Sequence, residues 1–385
     1  MLIHVFPPDE KYFKPVQEMY ETAHPGGNRF LVVGPNSQKF QIRDKRILFV
    51  GEFDSLRTEF LGLVTGASAI LFHFLDVEKI RLVELLPPGV PLIWHSWGMD
   101  LVKAIHPSPF LISYKPDTRR LVSGGTRFGY FKKNAREQVK RILRRSNEYQ
   151  TRLGHSLGRF SGMTTGTEQE YAQIKSKYGT MAPTHHPFSY VFLDASEMRM
   201  GQGENILLGN SSWAYNNHAE AFSQLRRSDL SGRKVIVPLS YGDVHYREQI
   251  LKLGHQMLGE HFMPLHQFMP REEYGRVMSS CGYFISNSVV QMAAGNILLA
   301  IEMGLRVYLD PCNPFFSFYR SHGLKIDDVR DIGAVPGYCF KQLPGQIRQE
   351  NFRLAQSLFS KEVVFRQCKD LCRIYEPGLS ENSFS

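Results

Sequence analysis

The stretch that decides the fold is Cys281–Asp310, CGYFISNSVVQMAAGNILLAIEMGLRVYLD. Tyr283 to Ile285 is an apolar run, followed by a polar loop and then by a helix-forming segment whose first turn carries Gly295 and Asn296. After Gly304 a second strand pattern follows, Arg306 to Leu309. Strand, short loop, helix, glycine and strand make the βαβ unit of a parallel sheet, and ligands gather where the loop after the first strand meets the helix. Free N–H groups and the positive end of the helix dipole attract phosphate there. Gly295 permits close approach to the backbone, and Gln291 and Asn296 can donate to phosphate or ribose oxygens. The unit by itself is common to all α/β proteins, with Gly304 simply ending a helix, so the phosphate reading needs neighbouring loops to support it.

Two neighbours supply that support. Asn205 to Leu208 reads as a strand that breaks into Gly209-Asn210-Ser211-Ser212, small residues with the N–H groups and hydroxyls that a diphosphate needs, before a helix starts near Asn217. Lys234 to Gly242 holds a further strand whose carboxyl end carries Pro238, Ser240 and Tyr241. Phe262 to His266 resembles a short strand and Pro270 to Ser279 a helix. Three loops of one sheet thus converge at Gly209–Ser212, Ser240–Gly242 and Gln291–Asn296. Gly201-Gln-Gly203 precedes a strand rather than following one, so it is not a dinucleotide fingerprint.

The amino-terminal half also alternates strands and helices. Leu2–Phe6, Phe30–Val33, Ile47–Val50, Ala69–Phe74 and Pro91–Trp94 read as strands, with helices expected at Pro15–Thr22, Ser55–Leu63 and Glu168–Lys177, the last capped by Thr167. This is a Rossmann-like pattern. Its strand ends are chemically rich: His73 follows one strand, and Trp94-His-Ser-Trp97-Gly-Met-Asp100 follows another. His95 can accept a proton from a hydroxyl nucleophile, and Asp100 can orient it or take the proton itself. The alternatives are a hydrogen-bonded structural histidine and an N-cap aspartate. The glycine-containing stretch before Asn205 marks the domain boundary, giving domains 1–198 and 199–385, with the last helices free to pack back on the first.

At 385 residues, with 42% hydrophobic and 22% charged residues, the chain is an ordinary globular one with room for two cores. No leader pattern opens it and no run of eighteen apolar residues is found. Five scattered cysteines without a CxxC pair argue for reduced thiols in a cytosolic setting and against a zinc site, and the sequon Asn210-Ser-Ser212 is set aside without a secretion signal. Between Arg119 and Arg159 twelve Lys or Arg face two Glu, a net of +10 against +9 for the whole chain, so the remainder is nearly neutral. Within it Lys132, Lys133, Arg136, Lys140, Arg141, Arg144 and Arg145 surround apolar positions at helical spacing, a basic amphipathic helix suited to an anionic membrane surface. A solvated surface helix is the plainer alternative. Nucleic acid is not expected as a partner, because no recognisable motif accompanies the charge.

Several motifs carry a family resemblance. Trp94-His-x-Trp-Gly-x-Asp-Leu101, Gly209-Asn-Ser211 with Asn216 and His218, Val237-Pro-Leu-Ser-Tyr241, Gln291-x-x-x-Gly295 leading to Gly304, and Asn313-Pro-Phe315 resemble the bacterial 4-acetamido-4,6-dideoxygalactose transferases. The likeness runs in order from about residue 2 to about 320 and is weak from Arg119 to Gly158 and after Asp327. It implies a GT-B type enzyme with two Rossmann-like α/β domains, moving N-acetylfucosamine from a dTDP-sugar to a polyprenyl-diphosphate-linked saccharide in enterobacterial common antigen synthesis. It also implies a peripheral position on the cytoplasmic face of the bacterial inner membrane. The amino-terminal domain, with His73, Trp94 and Trp97, would face the acceptor, and His95 or Asp100 would assist its hydroxyl. In the carboxyl-terminal domain Gly209, Asn210, Ser211, Ser212, Gln291, Gly295 and Asn296 would hold the pyrophosphate, Pro238 and Tyr241 would line the nucleotide pocket, and Glu302 would reach a ribose hydroxyl. No DxD motif is present, and neither metal nor other cofactor is expected. A non-catalytic nucleotide-sugar or polyanion binder and a sugar-nucleotide epimerase are the rival readings.

Overall fold

The computed structural model describes residues 1–33, 42, 47–50, 56–106, 108–123, 147–195, 197–199, 201 and 203–376. The basic segment Lys132 to Arg145 lies outside the described residues. Two compact units emerge. Among the described residues the first takes in 1–106, 147–191 and 361–376, and the second 108–123 and 192–360.

The first unit is a seven-stranded sheet of β1 (Leu2–Phe6), β2 (Asn28–Val33), β3 (Ile47–Val50), β4 (Ala69–His73), β5 (Leu92–His95), β6 (Phe160–Thr165) and β7 (Thr184–Pro187). Their order is β3-β2-β1-β4-β5-β6-β7 and every pairing is parallel. The central strands β1, β4 and β5 are largely apolar on both faces, as a sheet covered by helices on each side requires, and Ile3, Val5, Ile70, Phe72 and Trp94 are fully buried. The chain reverses direction across the sheet between β1 and β4, which makes the carboxyl ends of those strands its ligand crevice. The helix expected from Pro15 starts earlier, at Glu10, and runs through Pro15 to Ala23. Helix Lys361–Tyr375 packs against it, and Glu376 receives the Met1 amine at 2.7 Å.

The second unit is a six-stranded parallel sheet in the order β10-β9-β8-β11-β12-β13, built from β8 (Asn205–Leu208), β9 (Val235–Pro238), β10 (Phe262–Leu265), β11 (Cys281–Ser286), β12 (Arg306–Leu309) and β13 (Asp327–Asp328). Its direction reverses between β8 and β11. Helices Pro109–Ser113 and Pro116–Val122 also belong here: Glu220 accepts from Asp117 N at 2.7 Å, Thr118 N at 3.0 Å and Thr118 Oγ1 at 2.6 Å. A single cut at 198/199 therefore does not describe the units. It assigns 108–123 and 192–198 to the first, although they lie in the second; the helix Lys361–Tyr375 lies in the first, where the expectation left the last helices free to pack. Among the described residues no helix is long and apolar enough to cross a membrane.

Candidate functional site

At the β8/β11 crevice the loop 209–213 is shaped by its own side chains. Gly209 sits at φ +70, a conformation open mainly to glycine, and a Cβ there would lie 2.9 Å from Asn216 Oδ1 and 3.2 Å from His218 Nε2. Its N–H donates to Ile285 O at 2.9 Å, which ties β8 to β11. Asn216 staples the turn by accepting from Asn210 N at 3.2 Å and donating to Ser211 O and Trp213 O, both at 3.1 Å. The second loop is pressed on the first: Ser212 N and Oγ donate to Tyr241 O at 2.8 and 2.9 Å. Gly242, at φ +122, leaves no room for a side chain, because a Cβ would stand 2.7 Å from the Ser212 backbone. Ser211 and Ser212 are accordingly buried and spent on the loop itself, whereas Asn210 and Tyr241 face outward, with Asn210 Nδ2 3.2 Å from the Tyr241 hydroxyl. Pro238 closes β9 and is buried.

The third loop follows β11. Asn313 holds it by donating to Ser288 O at 3.1 Å and Val290 O at 3.0 Å while capping the helix Pro314–Ser321 through Phe315 N, which gives Asn313-Pro-Phe315 a physical reason. Ala293 then enters the left-handed region at φ 63, and the helix Ala294–Glu302 begins with no side-chain cap on its first N–H groups. Gly295 is exposed on this first turn, and Asn296 donates to Tyr274 Oη at 2.9 Å. Glu302 lies at the far end of the nine-residue helix, on the order of 12 Å away at ~1.5 Å per residue, with Arg199 Nε at 3.4 Å. The structure does not bring it to the loop cluster.

Three polar atoms of this neighbourhood are buried without a hydrogen-bond partner: His218 Nε2, Ser286 Oγ and Gln291 Oε1. Others lie elsewhere in both units, Trp97 Nε1 among them, but three beside one crevice make a place that a polar ligand can complete. Burial lowers the His218 pKa to about 3, so its imidazole is neutral. Asn217, at φ 51, joins the cluster through a reciprocal pair with Asn287, Asn217 Nδ2 to Asn287 O at 3.2 Å and Asn287 Nδ2 to Asn217 O at 3.0 Å. Sequence reading missed Asn217 and Asn287, which carry no motif of their own.

At the corresponding edge of the first unit the histidines and Asp100 are buried and hydrogen-bonded, while Trp97 is partly exposed and its Nε1 lacks a partner. His73 stacks on Phe6 at 3.8 Å and on His95 at 4.7 Å. Its Nε2 meets His4 Nδ1 at 3.1 Å and its Nδ1 meets the Tyr190 hydroxyl at 3.2 Å. His95 is fully buried with both nitrogens engaged, by Tyr20 Oη at 2.5 Å and Thr164 Oγ1 at 2.7 Å. Burial and then the neighbouring histidines hold His73 and His95 well below the ordinary histidine value, and burial takes His4 down to about 3. Asp100 is equally buried. It accepts from Trp94 Nε1 at 2.7 Å, Leu75 N and Trp97 N at 3.0 Å and Ser96 Oγ at 3.2 Å. Burial raises its pKa against those bonds. In this arrangement His95 and Asp100, read from sequence as acceptor-activating groups, hold the strand ends together, and Trp94 is core. The partly exposed members of the edge are Trp97, Phe74, Tyr12 and Tyr190, with Trp97 4.7 Å from Tyr12 and 5.6 Å from Tyr190 between centroids. Phe74, at φ 57, is a bulky residue in the left-handed region, a strain usually retained at working sites. Among the described residues no group of three or more His, Cys, Asp or Glu side chains stands where it could hold a metal ion.

Two comparisons bear on this geometry. Residues 138–326, just under half of the chain, match a family described as 4-alpha-L-fucosyltransferase, glycosyl transferase group 56. Solved structures similar along the chain include Anabaena HepE in complex with UDP and glucose, with a TM-score of 0.63, 10% identity, and coverage of 97% of this chain and 99% of that one. A sucrose-phosphate synthase from Thermosynechococcus elongatus has a TM-score of 0.64 at 9% identity, covering 98% and 99%. WaaG, a glycosyltransferase involved in lipopolysaccharide biosynthesis, has 0.56 at 11%, covering 98% and 100%. The protein has the GT-B fold, two parallel-sheet α/β units of the Rossmann-like kind. The family match makes a fucosyltransferase-type glycosyltransferase the class of protein this chain is similar to.

Proposed function

We propose that this protein is a glycosyltransferase that takes a deoxy-acetamido sugar, N-acetylfucosamine, from a dTDP-sugar and passes it to a polyprenyl-diphosphate-linked saccharide of an enterobacterial common antigen-like polymer. The observation that carries the reading is the β8/β11 crevice, where three strand-end loops, an uncapped helix start and the partnerless His218 Nε2, Ser286 Oγ and Gln291 Oε1 meet. Preorganised donors of this kind stabilise the negative charge that grows on a departing diphosphate, and they act without reorganising during the reaction. Asn210, Gln291, Asn296 and the backbone at Gly209 and Gly295 bind the diphosphate, Tyr241 flanks the nucleotide, and Ser211, Ser212 and Pro238 shape the loops. No metal enters this scheme. On the acceptor side Trp97 and Tyr190 meet the saccharide, with His73, His95 and Asp100 as positioning residues behind them. The description of the matched family as a fucosyltransferase supports the sugar type, and the motif resemblance supports the dTDP carrier and the lipid-linked acceptor.

The test is a binding panel of dTDP-, UDP- and GDP-sugars by calorimetry, followed by nucleoside diphosphate release with and without a short-chain lipid-linked acceptor. Release that needs the acceptor supports the transferase. Nucleotide-sugar conversion without acceptor makes it an epimerase, and binding without turnover makes it a scaffold. Peripheral attachment to the cytoplasmic face of the inner membrane through Lys132 to Arg145 belongs to the same proposal. Each Lys or Arg near an anionic surface contributes about 1 kcal/mol. Changing Lys140, Arg141, Arg144 and Arg145 together to Gln should release the protein from anionic vesicles at low salt; unchanged co-sedimentation would remove this part of the proposal.

A further inference from the structure

Lys115 comes from the amino-terminal half of the sequence yet stands at the strand ends of the second unit. Its backbone N–H donates to Asn217 Oδ1 at 2.8 Å, and its ammonium is held by Asp310 Oδ2 at 2.6 Å and by Asn287 Oδ1. Asn287 is the first residue beyond β11 and Asp310 the first beyond β12, and Asn217 immediately follows the Asn216 that staples the Gly209 turn. One cation is therefore fastened across the carboxyl ends of β8, β11 and β12, beside the crevice where the sheet reverses direction. The fastening is built from below: Glu220 takes both N–H groups and the hydroxyl offered by Asp117 and Thr118, fixing the turn that delivers Lys115. An ammonium has three donors and two are spent here, while 19% of the side chain stays exposed, so the third can meet a ligand.

We infer that Lys115 is the cation that meets the donor's diphosphate, with Asn287 as a positioning residue and Asp310 as the resting counter-ion with which the diphosphate competes. The inference rests on the donor reading above and adds to it the charge that the loops lack, since Gly209, Asn210, Gln291 and Asn296 bring hydrogen bonds but no cation. A compact ammonium held at a fixed point is suited to a diphosphate, and a hydrogen bond between charged partners is about twice as strong as a neutral one.

The experiment compares wild type, K115Q, K115R and D310N by calorimetry, with thymidine diphosphate, uridine diphosphate and the two nucleosides as probes, alongside melting temperatures. Losing a charged contact should weaken diphosphate binding in K115Q by roughly 10- to 100-fold. Nucleoside binding should hold within about twofold, because the nucleoside lacks the group concerned. K115R should recover part of the affinity. D310N keeps the ammonium and removes only its carboxylate, so its diphosphate affinity should match or exceed that of wild type. A merely structural ion pair predicts the opposite pattern: K115Q and D310N would fall together, in melting temperature and for nucleoside and diphosphate alike, and that result would overturn the inference. So would a K115Q that binds diphosphate as wild type does, and in that case the donor reading itself would stand. If wild type binds neither diphosphate, the donor reading fails and this inference with it.

Discussion

At the carboxyl edge of the first sheet His4, His73 and His95 lie against one another and Phe6, and their ring nitrogens are used on Asn28, Tyr20, Thr164 and Tyr190. At the matching edge of the second sheet the loops are made of small residues in left-handed turns, and His218, Ser286 and Gln291 each keep a buried polar atom without a partner. The two sheets share parallel pairing and a direction reversal near their centre, so topology alone would place a ligand at both. How far each edge is finished by its own side chains is decided by residue type: in the first the histidines and Asp100 are satisfied although Trp97 Nε1 is not, and in the second the small-residue loops leave room for an anion. The first edge contributes to stability, and the second lowers it in exchange for binding.

Acid is expected to have the largest effect, carried mainly by the first edge, which holds three of the four rings concerned. His4, His73 and His95 in the first unit and His218 in the second have folded pKa values below the ordinary histidine value of about 6.5. The unfolded chain then binds protons that the native state refuses, so the stability of these neutral rings is present above about pH 6.5 and is lost as pH falls. Each contributes up to ~1.4 kcal/mol per pH unit, roughly 5 kcal/mol for all four over the first unit below 6.5. Urea unfolding at pH 7.5, 6.5 and 5.5 should show the decline; His4→Gln should flatten it more than His255→Gln, on an outer helix, does. A flat profile would mean that the first edge takes up protons freely and is not closed.

Next in size is Asp100→Ala. It strands the buried N–H groups of Leu75, Trp94 and Trp97, and each unsatisfied donor costs about 1–3 kcal/mol, so roughly 3 kcal/mol or more of unfolding stability should go. A variant that unfolds as wild type does but has no turnover would make Asp100 a reacting group and break the contrast between the edges. Gly209→Ala should cost about 1–3 kcal/mol from its φ, plus the contact with Asn216, and should weaken nucleoside diphosphate binding. Gly26→Ala, at φ +71 with nothing within 4 Å of the added Cβ, supplies the backbone cost alone. Equal losses at the two sites would show that Asn216 does not tie the turn. The smallest effects are those of Gln291→Ala and Asn210→Ala, each expected to lower nucleotide-sugar affinity by roughly tenfold, with melting temperature unchanged. Unaltered affinity in both would move the diphosphate off this edge.

Much of the fold is legible because its strands are apolar runs ending in turn residues. β1, β3 and β12 can be read to the residue from their apolar runs, whereas β11, read as Tyr283 to Ile285, extends to Cys281 and Ser286. β7, Thr-His-His-Pro, and β13, Asp-Asp, are edge strands held by one neighbour each and carry no hydrophobic signal, so pattern reading passes over them. Of the site, the backbone-shaping residues announce themselves as Gly, Asn and Ser after a strand. What a side chain then does is not written in its type: Ser211 turns inward and Asn210 outward although they are adjacent. Lys115 is the clearest case. Nothing in Ser113-Tyr-Lys-Pro-Asp117 distinguishes it, because its partners at Asn217, Asn287 and Asp310 are supplied by the tertiary fold.

The alternation of the chain between the units bears on its birth at the ribosome. The last piece of the second unit ends at residue 360, while the first unit waits for the helix Lys361–Tyr375 that packs on Glu10–Ala23. Domains generally mature in the order in which they are synthesised, amino-terminal first. Here the first unit is the one finished last: its strands are all made by Pro187, but the helix Lys361–Tyr375 follows the whole of the second unit, and until it emerges the flank of Glu10–Ala23 that it covers depends on whatever escorts a nascent chain.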